Sequence, residues 1–381
     1  MFHARTHRQT VAALVGGLAM ALALTACGGS GATTGSSGPT GDTAALATTA
    51  KAAADKLLTR PTELKLGQKI SKPIPTDKKL VTVNCGFEAC TILDGLTGDA
   101  AKSLGWAVEE IQTDGSAQQI SNAWQQAIRG GASAIVQAGA VRSQIEPYIK
   151  QAQQAGIQVI LTATDEAAGN GVLAVLQDKQ QSAVQGTYAG IWVANDALQT
   201  NQPSADTVYV NIPDFTILPP IEAAYKQSLL QYCPGCKVDE LNIGISTIQQ
   251  APDLVVSYLR SHPSVKYVVF SARNIFDAVP PAMKAAGLTS VKTADSGAPG
   301  STSLNQLRSG LTSMNVAYPV YNLAYATVDV LARHFAGVSD SEPPAPYEIP
   351  GWALTKDNAP SDNVFPIVAN TVAQYKALWG K

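Results

Sequence analysis

Residues 118–160 read QQISNAWQQAIRGGASAIVQAGAVRSQIEPYIKQAQQAGIQVI, and this stretch decides the architecture. Gln118–Arg129 carries apolar residues at helical spacing and is stopped by Gly130-Gly131. Ala134–Gln137 is a short apolar run of strand character. Arg142–Ala155 is helical again and ends at Gly156, after which Val159–Leu161 returns to β-branched residues. Strands that are apolar throughout, joined by helices, predict a parallel sheet with both faces covered.

The same alternation extends outward in both directions. Upstream, strands are predicted at Leu80–Val83 and Ala107–Ile111, with a helix over Ile92–Leu104 that Gly105 stops; downstream, Val172–Leu176 adds another strand. Further on come strands at Val208–Ile212, Val238–Ile243, Tyr267–Phe270, Lys292–Ala294 and Leu311–Val316. Helices are predicted between and after them at Ile221–Gln231, Asp253–Ser261, Ala278–Ala286, Ser303–Ser309 and Tyr321–Phe335. About ten strands exceed the usual single doubly wound sheet, so two lobes of similar size are expected.

The N-terminal region reads as an address. Arg5 and Arg8 precede an uncharged apolar run, Val11 to Leu24, and Leu24-Thr25-Ala26-Cys27 is followed by Gly28-Gly29. This resembles a bacterial lipobox: residues 1–26 would be the signal peptide and Cys27 the lipidated N-terminus, held at the outer face of the cell membrane. The fourteen apolar residues fall short of the roughly 20 that span a bilayer. Residues 28–45, GGSGATTGSSGPTGDTAA, contain little to bury, and Pro61, Pro73 and Pro75 punctuate the next stretch. Residues 27–79 are therefore expected to be a flexible tether and lead-in, with the folded body starting near Leu80.

Composition narrows the function. The chain has 27 basic and 29 acidic residues; without Arg5 and Arg8 the balance is 25 against 29, or -4. No nucleic-acid partner is expected from such a charge. Beyond Cys27 there are four cysteines, Cys85, Cys90, Cys233 and Cys236, and the two close pairs lie 143 positions apart, from Cys90 to Cys233. Export favours oxidation, and the spacing favours local bridges Cys85–Cys90 and Cys233–Cys236 over a zinc site or a redox dithiol. Catalytic signatures are missing: there is no Gly-x-Ser-x-Gly elbow, no P-loop and no Rossmann glycine fingerprint. His262 and His334 are isolated, and Asp165-Glu166 and Asp239-Glu240 are adjacent pairs that do not face each other. No enzyme activity, cofactor or metal is expected.

Several stretches together resemble the sugar-type, ribose-binding-like periplasmic binding proteins of type I. Gln118–Ile160 resembles the family's β-α-β unit ending in "AGIPV", and 262–270, His-Pro-Ser-Val-Lys-Tyr-Val-Val-Phe, resembles "HPDVKAVF". Ala282-Met283-Lys284-Ala285-Ala286-Gly287 resembles "ALKAAG", Ala294-Asp295-Ser296-Gly297 sits where the family has "GFDG", and Trp352-Ala353-Leu354-Thr355 resembles the closing strand. The resemblance implies an α/β fold of two Rossmann-like lobes joined by a three-strand hinge, with the ligand in the cleft. It places residues 80–178 plus 319–350 in the N-terminal lobe and 179–318 plus 351–381 in the C-terminal lobe. It implies a monomeric solute receptor delivering a small organic solute, sugar or sugar-like, to an ABC transporter permease. A receptor signalling to a membrane sensor is the alternative. A soluble repressor of the same fold would need a helix-turn-helix where this chain has the lipobox and tether.

In such lobes ligands bind beyond the carboxyl ends of the strands. Sugar sites combine aromatic faces with planar polar groups. Phe87, Phe215, Phe276 and Tyr318 are the candidate faces; Glu88, Asp165, Asp214, Arg273, Asn274 and Asp295 are the candidate hydrogen-bonding groups. The departures from the ribose-type pattern are specific. Thr164-Asp165-Glu166 lacks the family's arginine, Ile217-Leu218-Pro219-Pro220-Ile221 lacks another, Ala272-Arg273-Asn274 replaces Asn-Asp, and only Asp295 holds its place. A common pentose is therefore not the expected ligand.

Overall fold

The computed structural model describes residues 41–381, so the expected signal segment and Cys27 lie outside the described residues. The first element, α1 (Gly41–Leu58), is followed by an irregular strap to residue 78. Five strands then alternate with helices: β1 (Lys79–Val83), α2 (Glu88–Ser103), β2 (Ala107–Ile111), α3 (Ala117–Arg129), β3 (Ala134–Ala138), α4 (Arg142–Gln154), β4 (Gln158–Thr162) and β5 (Ala174–Leu176). They form one all-parallel sheet in the order β2-β1-β3-β4-β5. The chain crosses at Gln177–Asp178 into α5 (Lys179–Gln199), β6 (Asp206–Asn211), α6 (Leu218–Tyr232), β7 (Lys237–Asn242), α7 (Ala251–Ser261), β8 (Val265–Phe270), α8 (Val279–Ala285) and β9 (Lys292–Asp295). Those four strands make a second parallel sheet, β7-β6-β8-β9. After α9 (Ser301–Arg308), β10 (Asn315–Val316) leads back into α10 (Val320–Phe335) of the first lobe. The chain then crosses once more to β11 (Ala353–Leu354), antiparallel to β10, and ends in α11 (Thr371–Leu378).

Side-chain alternation explains how both faces of each sheet are covered. In the first sheet Leu80, Val136 and Ile160 point into the core shared with α2 and α10, while Val81, Ile135 and Leu161 point into the core shared with α3 and α4. In the second, Tyr209, Tyr267 and Val269 face α5 and α6, and Val210, Val268 and Phe270 face α7 and α8. α5 and α6 pack backbone against backbone because Gly186 and Gly190, one turn apart, lack a Cβ. A Cβ at Gly186 would clash with the Ile221 carbonyl, and one at Gly190 with the Ser228 hydroxyl.

Two expectations change. Residue 41 onward is not a free tether: Ala54 and Leu57 of α1 are buried in the core of the C-terminal lobe, and Asn358 Nδ2 donates to the Leu58 carbonyl at 3.0 Å. The strap is tied down as well, with Arg333 Nη2 donating to the Gln68 carbonyl at 2.8 Å and Trp106 Nε1 to that of Pro75 at 2.7 Å. The tail, expected in the C-terminal lobe, is divided. β11 pairs there, but Tyr375 and Trp379 are buried in the N-terminal lobe's core, and Trp379 Nε1 donates to Asp329 at 2.9 Å. Aromatic rings on the last helix find their apolar partner in Tyr325, stacked on Trp379 at 5.8 Å. Among the described residues no helix is long and apolar enough to cross a membrane.

Candidate functional site

The strands end level with one another, which gathers their following loops on one edge of each lobe. Val83 lies opposite Ile111 and Gln137, and Val210 opposite Phe270, itself opposite Asp295. At the end of β1, Asn84 folds the loop: its Oδ1 accepts from the Gly86 amide at 2.7 Å, and its Nδ2 donates to Asp94 at 2.8 Å. Gly86 is required here, since its φ is +89° and a Cβ would sit 2.6 Å from the Asp114 carbonyl carbon. The Cys85–Cys90 disulfide closes the same turn, with Cα atoms 5.8 Å apart. Cys233 and Cys236 form the second bridge, so all four cysteines pair locally, as their spacing favours.

This rim loop projects Phe87 and Glu88 toward the other lobe. Phe87 meets Phe215, from the loop after β6, edge to face at 5.4 Å between ring centroids. The Glu88 carboxylate accepts from the Ser301 hydroxyl at 2.8 Å at the start of α9, where the absence of a side chain on Gly300 admits it. Asp165 pairs with Lys179 at 3.0 Å, linking the end of β4 to the first turn of α5. At the hinge, Tyr318 donates to Gln177 Oε1 at 3.2 Å, and Gln177 Nε2 donates to Gln185 Oε1 at 3.4 Å. Gln185 in turn packs on Gly297, where any Cβ would clash with it.

On the C-terminal side lies a buried charged floor. Arg273 is 1 % exposed, donates from Nη2 to Gln306, lies 3.4 Å from Asp277, and sits over the Phe270 ring at 5.2 Å. Burial pulls the Arg273 guanidinium down from its ordinary value, opposed by Asp277 and Asp295. The Asp277 carboxyl is pushed up by burial, with the Ser303 hydroxyl and Arg273 acting the other way. Asn274 Oδ1 is buried without a hydrogen-bond partner among the described residues. Asp214, exposed on the rim, accepts from the Ile245 amide at 3.1 Å and so joins the β6 and β7 loops.

Two candidates are structural. Phe276 is 1 % exposed and packs on Phe270 at 5.3 Å, so it offers no face to a ligand. Asp295 is fully buried and its Oδ1 accepts from the Gly297 and Val316 amides at 2.9 and 3.0 Å. Burial holds its carboxyl well above the usual carboxylate range, against the pull of Arg273 and those amides. It fixes the turn under the cleft. Phe87 meets Phe215 and Glu88 meets Ser301 across the lobes, whereas Asp165 pairs with Lys179 and Tyr318 with Gln177. Ser301, Lys179, Gln177 and Gln185, which meet them, were not singled out by sequence. Only Lys179 had a usable signal, the Asp178…Gln181 capping box that starts α5.

Loops of the two lobes thus meet at Phe87–Phe215 and at Glu88–Ser301, and three crossings join the lobes. A model of the periplasmic binding protein domain matches residues 96–338. The chain belongs to the periplasmic binding protein family. That family is non-enzymatic and binds solutes, and this member shares its type I fold. Among solved structures, an ABC transporter solute-binding protein from Agrobacterium vitis with bound allitol is 21 % identical. It covers 74 % of this binding protein and 97 % of its own chain, with a TM-score of 0.60. The periplasmic component of an arabinose ABC transporter from Shewanella sp. ANA-3, bound to L-arabinofuranose, is 16 % identical; coverage is 79 % and 95 %, and the TM-score 0.63. A putative LacI transcriptional regulator from Bacteroides fragilis is 14 % identical, with coverage of 74 % and 98 % and a TM-score of 0.61. Among curated proteins none matches the sequence.

Proposed function

We propose that this periplasmic binding protein captures a small, neutral, sugar-like solute in the cleft by lobe closure and delivers it to an ABC transporter permease. The observation that carries the reading is the Phe87–Phe215 contact at 5.4 Å, made by loops from opposite lobes. Two rings on opposing strand-end loops are suited to clasp the apolar faces of a pyranose, furanose or polyol. Glu88, Asp165, Asn274 and Tyr318 supply directional hydrogen bonds around them. The crossings at 177–178, 317–319 and 349–352 serve as the hinge. The allitol- and arabinose-bound structures of like fold support polyols and furanoses as first candidates.

Calorimetric titration with allitol, L-arabinose and a panel of neutral sugars tests this. A member of the panel is expected to bind, and Phe87→Ala or Phe215→Ala to weaken it at least tenfold, about 1.4 kcal/mol. Unchanged affinity in both variants would place the site elsewhere. The lipobox-like run supports anchoring through Cys27. Cys27→Ser is expected to move the protein from the membrane fraction to the medium, or to leave the precursor uncleaved; a processed protein still held in the membrane fraction would exclude the anchor.

A further inference from the structure

Besides the crossings at 177–178, 317–319 and 349–352, two further segments run from one lobe to the other. The first follows α1: Ala54 and Leu57 are buried in the core of the C-terminal lobe, whereas Leu64, Leu66 and Ile70 pack into that of the N-terminal lobe. The second is in the tail. Phe365 and Ile367 pack with Leu304 and Leu307 of α9, and Tyr375 and Trp379 belong to the N-terminal core. Both segments lie outside the residues that the family model matches, 96–338, so they are additions to the shared domain.

One side chain gathers these segments where they leave the C-terminal lobe. Arg60, in the first, donates from Nε to the Ile367 carbonyl at 2.8 Å and from Nη2 to the Pro366 carbonyl at 2.7 Å, both in the second. Its guanidinium also lies over the Trp352 ring, 5.0 Å from the centroid, at the end of the 349–352 crossing. A planar fork suits this task, because its donors fix its plane against two carbonyls while its charge rests on the indole. At the N-terminal lobe the segments are joined again. The Ile70 amide donates to the Leu378 carbonyl at 2.9 Å, and Arg333 donates to the Gln68 and Glu342 carbonyls at 2.8 and 2.9 Å. The crossings at 177–178 and 317–319 are held separately, by Tyr318 on Gln177. Hinge motion turns φ and ψ in a few connecting residues. Segments bound side by side must turn together, so the group of three resists a rotation that each alone would allow.

We infer, on the reading that the lobes open and close around a solute, that Arg60 is a hinge clamp that restricts how far they part. The test measures distances between spin labels on the ligand-free full chain, by double electron–electron resonance. Cys27→Ser leaves only introduced thiols to be labelled, the other four cysteines being bridged. Labels at Gln118→Cys on α3 and Ser246→Cys after β7, both exposed, span the lobes. The otherwise native chain is expected to give one narrow distribution, and Arg60→Ala a mean longer by about 5 Å. Arg60→Lys, which keeps the charge but not the fork, is expected to fall between them. Lys51→Ala, which removes an exposed ion pair on α1, is expected to match the native chain. A pair inside the C-terminal lobe, Ser246→Cys with Lys284→Cys, is expected to stay unchanged in Arg60→Ala, which separates opening from loosening of the lobe. Coincident distributions with and without Arg60 overturn the proposal, as does an equal change in the pair inside the lobe or in Lys51→Ala. No solute is added, so a chain that binds no sugar and a chain whose lobes Arg60 does not restrain give different results.

Discussion

At the end of β1, Asn84 accepts from a loop amide and donates to Asp94 on α2; at the end of β6, Asn211 accepts from the Ile212 amide and donates to Glu222 on α6. Three residues after the first asparagine stands Phe87, and four after the second stands Phe215. The two lobes thus use the same asparagine-to-acid brace to aim one ring each into the cleft. They differ in how the brace is secured. Glu222 has Lys226 one turn away at 2.8 Å, whereas Asp94 is 2 % exposed and the nearest charge acting on it is another acid, Glu110. The N-terminal loop is closed by its disulfide at the rim. The C-terminal unit carries its bridge at the far end of α6, where Cys233 and Cys236 are buried, and starts the helix with Pro219 and Pro220 instead. A rim aromatic is therefore positioned covalently in one lobe and by an ion-paired brace with a proline-started helix in the other.

The largest expected consequence concerns Asp94. Burial pushes its carboxyl from 3.8 to about 7, with Glu110 adding to the rise and the Asn84 amide opposing it. The folded value lies above the unfolded one, so the contribution is fully present below about pH 4 and is lost as pH rises through 7. The full span corresponds to about 4 kcal/mol at most. Asp94→Asn keeps an acceptor for Asn84 and cannot ionise. Relative to the wild type, it is expected to gain stability steadily between pH 4 and pH 7 in urea unfolding. Asp277 and Asp295 are also raised and slope the same way in both proteins, so only the difference between the curves matters. Parallel curves would mean that Asp94 is not the odd member of the pair.

A smaller effect tests the braces themselves. Asn84→Ala and Asn211→Ala each remove one hydrogen bond to an acid and one to the loop backbone, and Asn84→Ala also a longer one to Thr91; each is expected to cost about 2–3 kcal/mol. Urea unfolding of the two variants at one pH checks it. A loss below about 0.5 kcal/mol in either would break the equivalence of the two lobes.

How far the sequence carried this picture depends on the range of each interaction. The strand–helix alternation, the glycine stops and the local disulfides are written in neighbouring residues, and they are legible as such. Contacts between lobes are not. Glu88 and Ser301 are 213 positions apart, and nothing local to either marks the other. Asp295 is a candidate because it holds the place of the family's aspartate, and Phe276 because it falls in a strand-end loop. Their burial is set by β10 and by the packing of α8, which the linear pattern does not express. α1 falls within the expected tether because its alanines bury little area each. Its place follows from their smallness, which lets Ala54 approach the α5 face closely.

The smallest expected effects separate the two disulfides by kind. Each closes a short loop, with sequence separations of 5 and 3, so the loss of unfolded-chain entropy is modest, about 2 kcal/mol for either. Stability alone will hardly distinguish them. Affinity should. Without the Cys85–Cys90 bridge the rim turn is held by hydrogen bonds alone, those of Asn84 and Thr113 and those of the Cys90 and Thr91 amides to the Phe87 carbonyl, and Phe87 is less firmly presented to Phe215. The ordering that the bridge supplied in advance must then be met on binding, which lowers affinity. The Cys233–Cys236 bridge lies at the opposite end of α6 from Phe215, with α6 held against α5 along its length. The pair Cys85→Ala with Cys90→Ala is therefore expected to weaken the cleft ligand by about tenfold, some 1.4 kcal/mol. Cys233→Ala with Cys236→Ala is expected to lower the unfolding midpoint and leave affinity within twofold. Titration calorimetry and urea unfolding on the two double variants read both quantities. Equal losses of affinity would show that the position of the bridge is immaterial and that both lobes hold their aromatic in the same way.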